Sequence, residues 1–195
     1  MNKKKIIGVC VVIFVIVFVA ICIAIVQFSK EDLEEAKKGL EETQRKYGWV
    51  EKENIDVLVA KFNTQVMDND SSSLNPASTD YLTESNNEYW YGLIEGVYLV
   101  VVPEKYTGDK TTETVNYTLL YVDKTSKYES DAISYIKYLI KANNSEITDS
   151  EIDTLLEDAK TKTNSGKTAN NGKGISIGYT EKDEAYQYQV LRLYK

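Results

Sequence analysis

The hydrophobic pattern opens with an unbroken run, Ile6 to Val26, of 21 residues with no charge and no Pro. At about 1.5 Å of rise per residue, a helix of that length reaches roughly 32 Å, enough for a hydrocarbon core of about 30 Å. The side chains are apolar all the way round, which fits a lipid-facing rod better than a helix with one buried face. Lys3, Lys4 and Lys5 precede the run, and Glu31, Asp32, Glu34 and Glu35 follow it. Basic flanks stay in the cytoplasm, so the pattern predicts residues 1–5 as a cytoplasmic flank and 6–26 as a single-pass transmembrane anchor in the cell membrane. The C-terminal domain is then outside. A cleaved signal peptide has a shorter apolar region ending at a small-x-small site, and Cys22-Ile23-Ala24 is a poor one. Lipidation needs a small residue before the Cys, whereas Val9 precedes Cys10 and Ile21 precedes Cys22.

Residues 27–53 read as a helical stalk or linker. Ser29 is a plausible N-cap, and the acids after it suit the positive end of the helix dipole. Leu33, Ala36, Leu40 and Tyr47 make a narrow stripe, and Glu34–Lys38 and Glu42–Lys46 are i,i+4 pairs in the favourable orientation. The stripe is too short for a coiled coil on its own. Ala20 and Ala24 form a small-xxx-small pair in the anchor, so anchor and stalk together could carry a homodimer.

From Asn54 the pattern becomes that of a globular domain, residues 54–195. Ile55, Leu58, Val59, Phe62 and Val66 share one helical face, with Asn54 as the expected cap. Strand signals follow at 88–92, 96–102 and 115–122. A helix burying Ala132, Ile133, Ile136, Leu139 and Ile140 is announced by Ser126 and Glu129, which resemble a capping box. A second is announced by Thr148 and Glu151 and buries Ile152, Leu155, Leu156 and Ala159. Two closing strands, 175–180 and 185–194, read as a hairpin. The order α-β-β-β-α-α-β-β places strands in adjacent runs, which implies an α+β class with a roughly five-stranded antiparallel sheet packed by helices on one face.

Composition narrows the chemistry. The chain has no His, and its two Cys both lie in the apolar run. His-dependent nucleophilic triads, His-metal sites and, beyond the anchor, thiol chemistry are therefore excluded. Residues 27–195 carry 20 basic and 30 acidic side chains. That acidic balance argues against nucleic acid as a partner.

Four partial motifs fail on their neighbours. Asn164-Ser165-Gly166-Lys167-Thr168 resembles the end of a phosphate loop, but Thr161 stands where the first Gly belongs, and a helix precedes it. Asp68-Asn69-Asp70 resembles a calcium loop, but Ser73 and Thr79 replace its Gly and Glu. Ser134-x-x-Lys137 lies mid-helix and lacks the companion motifs of penicillin-recognising enzymes. The basic leader and apolar helix are similar to a pilin, but Val9 and Ile13 depart from the processing signature. Paired carboxylates such as Glu88 and Glu95 could serve a small cell-wall hydrolase, although no spacing singles out a pair. No cofactor, metal or catalytic residue is called for.

The anomaly is tyrosine: 15 Tyr against two Trp and four Phe. Alternation puts Tyr89 and Tyr91 on one strand face and Trp90 on the other. It puts Tyr186, Tyr188 and Tyr194 together with Val190, and Tyr117 and Tyr121 with Val115 and Leu119. Tyr can fill a sheet core with its hydroxyl at the rim. It can also form an aromatic patch on the sheet face away from the helices. Tyr89, Trp90, Tyr91, Tyr186 and Tyr188 are the candidate partner-binding residues. The expected function is a membrane-anchored extracytoplasmic binding or scaffold module of a bacterial envelope, without catalysis, whose partner is a protein or other envelope component. The alternatives are the paired-carboxylate hydrolase and a self-associating pilin-like element.

Overall fold

The computed structural model describes residues 34–39, 41–42, 46, 48–69, 74–79 and 82–193. The run 6–26 lies outside them. Among the described residues no helix is long and apolar enough to cross a membrane. The chain divides into two units, 1–45 and 46–195. In the first, residues 34–39 and 41–42 are helical and exposed. Leu33, Leu40 and Tyr47 of the expected stripe are outside the described residues.

The second unit is an α+β domain whose helices are α1 (Ile55–Asn69), α2 (Ala132–Asn143) and α3 (Asp149–Thr161). Its strands are β1 (Leu82–Ser85), β2 (Glu88–Ile94), β3 (Val97–Pro103), β4 (Val115–Asp123), β5 (Ala169–Asn170), β6 (Ile175–Glu181) and β7 (Ala185–Arg192). They form one antiparallel sheet in the order β1-β2-β3-β4-β7-β6-β5. The first four strands are a meander. The chain then crosses through α2 and α3 and returns so that its last strand pairs with β4.

The sheet therefore has seven strands where the hydrophobic pattern predicts five. Both extra strands sit at the edges and carry no apolar alternation. β1 is Leu-Thr-Glu-Ser, with its last three residues exposed, and β5 has two residues. The signal for β1 is the turn after it. Asn86 and Asn87 both take positive φ, 53° and 64°, as a two-residue type I′ hairpin requires, and Asn tolerates that conformation better than most residues. The edge of β6 beyond β5 is closed by one residue, whose backbone N–H donates to the Tyr179 carbonyl (3.4 Å). Asn164 donates from Nδ2 to the Glu181 carbonyl (3.0 Å) and accepts from the Glu181 N–H (3.1 Å), standing in for a neighbouring strand.

The helices form as their apolar spacing dictates. All five predicted positions of α1 are buried, as are Ala132, Ile136, Leu139 and Ile140 of α2 and all four of α3, whereas Ile133, also expected in the α2 core, is only half-buried. Thr148 and Glu151 make the expected capping box. Ser126 does not: its hydroxyl bonds to the Glu95 carbonyl and accepts from the Tyr128 N–H. A 3₁₀ turn, Glu129–Asp131, intervenes before α2 begins. Asn54 likewise turns its side chain to the Thr111 carbonyl (2.5 Å), while its backbone pairs with Thr114.

The three helices lie on one side of the sheet. The core cluster joins their buried residues to Tyr89, Tyr91, Leu99, Leu120, Val122, Ile177, Tyr188 and Val190, which alternate with residues of the opposite face. Phe62 of α1 stacks on Tyr135 of α2, ring centroids 6.2 Å apart. The Tyr135 hydroxyl bonds both backbone groups of Asn75 and pins the 74–79 segment over the helix pair. Residues 48–53, at the end of the predicted stalk, belong to this unit. The Val50 N–H donates to the Leu193 carbonyl (2.8 Å), and the Leu193 N–H donates to the Gly174 carbonyl (2.9 Å).

Candidate binding surfaces

The five candidate aromatics occupy three places. Tyr89, Tyr91 and Tyr188 are 0%, 1% and 0% exposed, and Tyr186 is 8% exposed, so these four tyrosines point to the helix-covered side. Trp90 points the other way and is half-buried. Tyr194 is outside the described residues. A tyrosine has an apolar ring for the core and a hydroxyl for the rim, so its abundance alone does not tell a buried face from an open one.

The open face is built from strand register. Three rows cross the sheet: Trp90–Val100–Leu119–Gln189, Gly92–Tyr98–Tyr121–Gln187, and Val102–Tyr117–Leu191. None of these positions holds Lys, Arg, Asp or Glu; the charged strand residues that alternate onto the same face, Glu88 of β2 and Asp123 of β4, stand at its margins. Val115 is not part of this face. The register shifts opposite Val102 and Pro103, which turns Val115 into the core while Tyr117, Leu119 and Tyr121 point out. Gly92 has no side chain to cover its partner Tyr98, which is left 37% exposed.

Trp90, Tyr98 and Tyr121 touch one another, with ring centroids 6.1 Å (Trp90–Tyr98), 5.7 Å (Trp90–Tyr121) and 6.2 Å (Tyr98–Tyr121) apart. They close over Val100, which is 0% exposed although it lies on the open side. Trp90 Nε1 donates to Glu88 (3.1 Å), which fixes the indole. Beside Tyr121, the β6–β7 turn borders a recess of about 360 Å³ lined by Gln187, Thr180 and the charged turn residues Lys182, Asp183 and Glu184. Tyr98 and Tyr121 were legible as strand positions. Their meeting with Trp90 depends on register, which alternation does not give.

On the covered side, Tyr186 and Tyr188 meet a third tyrosine, Tyr179 of β6. Ring centroids are 4.9 Å (Tyr179–Tyr188), 5.8 Å (Tyr179–Tyr186) and 5.9 Å (Tyr186–Tyr188) apart. They line a recess of about 350 Å³ with Glu129, Lys160 and Glu181. Burial, with Glu129 and Glu181 nearby, pushes the Tyr186 phenol up to about 12. Burial also pushes Tyr179 and Tyr188 upward, so all three are neutral donors at physiological pH. Glu181 is held below the usual carboxylate range by its bond from Lys124 and then by that from Tyr179.

Tyr89 belongs to a separate arrangement at the β3–β4 loop. It packs on Tyr106 at 5.6 Å, and burial, then Glu113, pushes its phenol upward. Glu113 is 3% exposed and accepts from the Thr107 N–H and from the Gly108 N–H (2.8 Å). Burial alone would raise its pKa, but its hydrogen-bond donors, the Thr107 N–H foremost, outweigh it, and the net shift is downward. A carboxylate held by backbone N–H groups is structural here: it closes the 107–113 loop. A group with a depressed folded pKa adds stability that is full above its unfolded value and is lost as pH falls through the folded one. Glu113→Ala is expected to cost about 2 kcal/mol at neutral pH. In urea melts the gap between variant and parent should shrink as pH falls below the ordinary value of 4.5. A pH-independent gap would show that the carboxylate charge is irrelevant.

Among the described residues no group of three or more His, Cys, Asp or Glu is placed to hold a metal ion. No family model, no curated protein and no solved structure matches the chain.

Proposed function

We propose that the chain is a single-pass, membrane-anchored binding or scaffold module. Its N-terminus is cytoplasmic, residues 6–26 sit in the bilayer, and the α+β head lies outside. The head docks a protein of the cell envelope on the open sheet face. The observation that carries this is the contact trio of Trp90, Tyr98 and Tyr121, which stands among uncharged positions at the centre of that face, with Glu88 and Asp123 at its margins. Aromatic residues are enriched, and charged ones depleted, at the centres of protein interfaces. A sheet with helices on one side only leaves its second face to water or to a partner. The three rings are tilted 57–63° to one another. They present edges and faces at several angles, which suits irregular protein side chains better than flat stacking on a sugar ring. The net acidity of the head argues against nucleic acid.

The paired-carboxylate hydrolase fits less well. A general acid needs a pKa raised towards neutrality, and Glu181 and Glu151, each in a recess with a second carboxylate, are shifted the opposite way.

The test is site-specific photo-crosslinking in the anchored, full-length chain. A benzophenone side chain at Tyr98 should yield a discrete adduct with one envelope protein, and Trp90→Ser should abolish it. The same probe at Met67, 62% exposed on α1, should yield none. Adducts of equal yield from both positions, or one that survives Trp90→Ser, would contradict docking on the open face.

A further inference from the structure

We propose that the cleft between residues 49–51, α1 and the end of α2 is a binding site for a short glycan of N-acetylated amino sugars, separate from the open sheet face. The cleft holds about 540 Å³, within the size range of small-ligand sites. Trp49 lines it from one side and Gln65 of α1 from another, and both are only half-buried. Neither the Trp49 indole N–H nor the Gln65 side-chain amide has a hydrogen-bond partner among the described residues. The main chain around Trp49 is held firmly. A Cβ on Gly174 would lie 2.4 Å from the Trp49 Cα. The Val50 N–H donates to the Leu193 carbonyl (2.8 Å), and the Glu51 carbonyl accepts from the buried Arg192 (3.1 Å). A wall fixed before the ligand arrives costs little ordering entropy on binding.

The charged groups of the cleft disfavour an anion. Lys61 and Lys141 are committed to Glu53 (2.5 Å) and Asp149 (2.8 Å). The carboxylates of Glu51 and Glu146 have no ion-pair or hydrogen-bond partner among the described residues, so a ligand phosphate or carboxylate would meet like charge. A simple cation would suit those two groups but has no acceptor for the Trp49 and Gln65 N–H donors. A glycan answers both. Its hydroxyls donate to carboxylates and accept from N–H groups. The C–H-rich face of a sugar ring packs on an indole and leaves the indole N–H for a ligand oxygen. An acetamido group adds a carbonyl to accept from Gln65 Nε2 and an N–H to donate to a carboxylate. A plain hydroxyl offers one oxygen for both contacts.

The experiment is a titration of the full chain, in a detergent without a sugar head group, with tri-N-acetylchitotriose, cellotriose and a hyaluronan tetrasaccharide. Binding is read by calorimetry and from the two indole N–H resonances, which Trp90→Phe assigns. Tri-N-acetylchitotriose should bind saturably and shift the Trp49 resonance while that of Trp90 stays in place. Cellotriose, which has hydroxyls in place of the acetamido groups, and the anionic hyaluronan fragment should each bind severalfold more weakly. Gln65→Leu should weaken tri-N-acetylchitotriose severalfold, as loss of one hydrogen bond does, and leave cellotriose unchanged. The Gln65 side chain makes no hydrogen bond within the fold among the described residues, so its replacement reads the site and not stability. No saturable binding of tri-N-acetylchitotriose, a shift at Trp90 in place of Trp49, equal affinity for cellotriose or hyaluronan, or full affinity in Gln65→Leu would overturn the proposal.

Discussion

Gly174→Ala is expected to lower the thermal midpoint of the head by roughly 10 °C or more, corresponding to at least about 3 kcal/mol. Gly174 has φ +76°, and a Cβ there would lie 2.4 Å from both Cα and carbonyl C of Trp49. Gly48, at φ +63°, faces the same crossing, where its Cβ would lie 2.4 Å from the Gly172 carbonyl oxygen. Two stretches of main chain touch with no room for a methyl group. Backbone cannot rotate aside as a side chain can, so the strands must part, and the bond from Leu193 N–H to Gly174 C=O is strained or lost. The left-handed conformation itself costs an L-residue only about 1–2 kcal/mol. Gly108 and Gly166 isolate that smaller part: they have φ +83° and +70° but nothing within 4 Å of an added Cβ. Gly108→Ala and Gly166→Ala should cost about 1 kcal/mol each. If calorimetric scans give Gly174→Ala the same small shift, the close crossing is not what that glycine serves.

Arg192→Met should destabilise by about 3 kcal/mol. The Arg192 side chain is 1% exposed. It donates to Glu53 Oε1 (2.7 Å), Asn143 Oδ1 (3.0 Å) and the Glu51 carbonyl (3.1 Å), so one guanidinium ties the entry segment and the end of α2 to the last strand. Met fills similar volume but, among the described residues, leaves Glu53 with Lys61, itself 54% exposed, as its one cation. Removing one partner of a buried pair strands the other charge, whereas replacing both can be nearly neutral. The double variant Arg192→Met/Glu53→Met should therefore recover a good part of the loss, a coupling readable from urea midpoints. Purely additive losses would mean that the two residues stabilise the fold independently.

Local rules of the sequence carry most of the fold. The 3.6-residue spacing of Ile55, Leu58, Val59, Phe62 and Val66 is enough to identify α1 and its buried face, and Thr148 with Glu151 marks the start of α3. The legible strands are those with apolar alternation. β1 and β5 lack it because they are edges held by backbone pairing and by turns. Ser126 looked like a cap but serves a long-range bond to Glu95, a competition that local sequence does not show.

The site was less legible for a definite reason. In β3, Val97-Tyr98-Leu99-Val100-Val101-Val102 is apolar on both faces, so alternation says that two faces exist but not which one the helices cover. Tyrosine blurs this further, because it serves the core at Tyr89 and Tyr188 and the open face at Tyr98 and Tyr121. The Arg192–Glu53 pair spans 139 positions, and the aromatic trio depends on a β3–β4 register that only the assembled sheet sets.

The most direct measurement is cysteine accessibility on intact cells. The head contains no Cys, so with Cys10 and Cys22 changed to Ala a single reporter can be placed at will. Thr83→Cys lies on the open face opposite Trp90, and Met67→Cys lies on α1, away from that face. With a membrane-impermeant maleimide, the predicted result is rapid labelling at position 67 on cells and severalfold slower labelling at 83, with equal rates once the chain is purified in detergent. No labelling of either on intact cells would place the head inside, and equal labelling of both would leave the aromatic face without its partner.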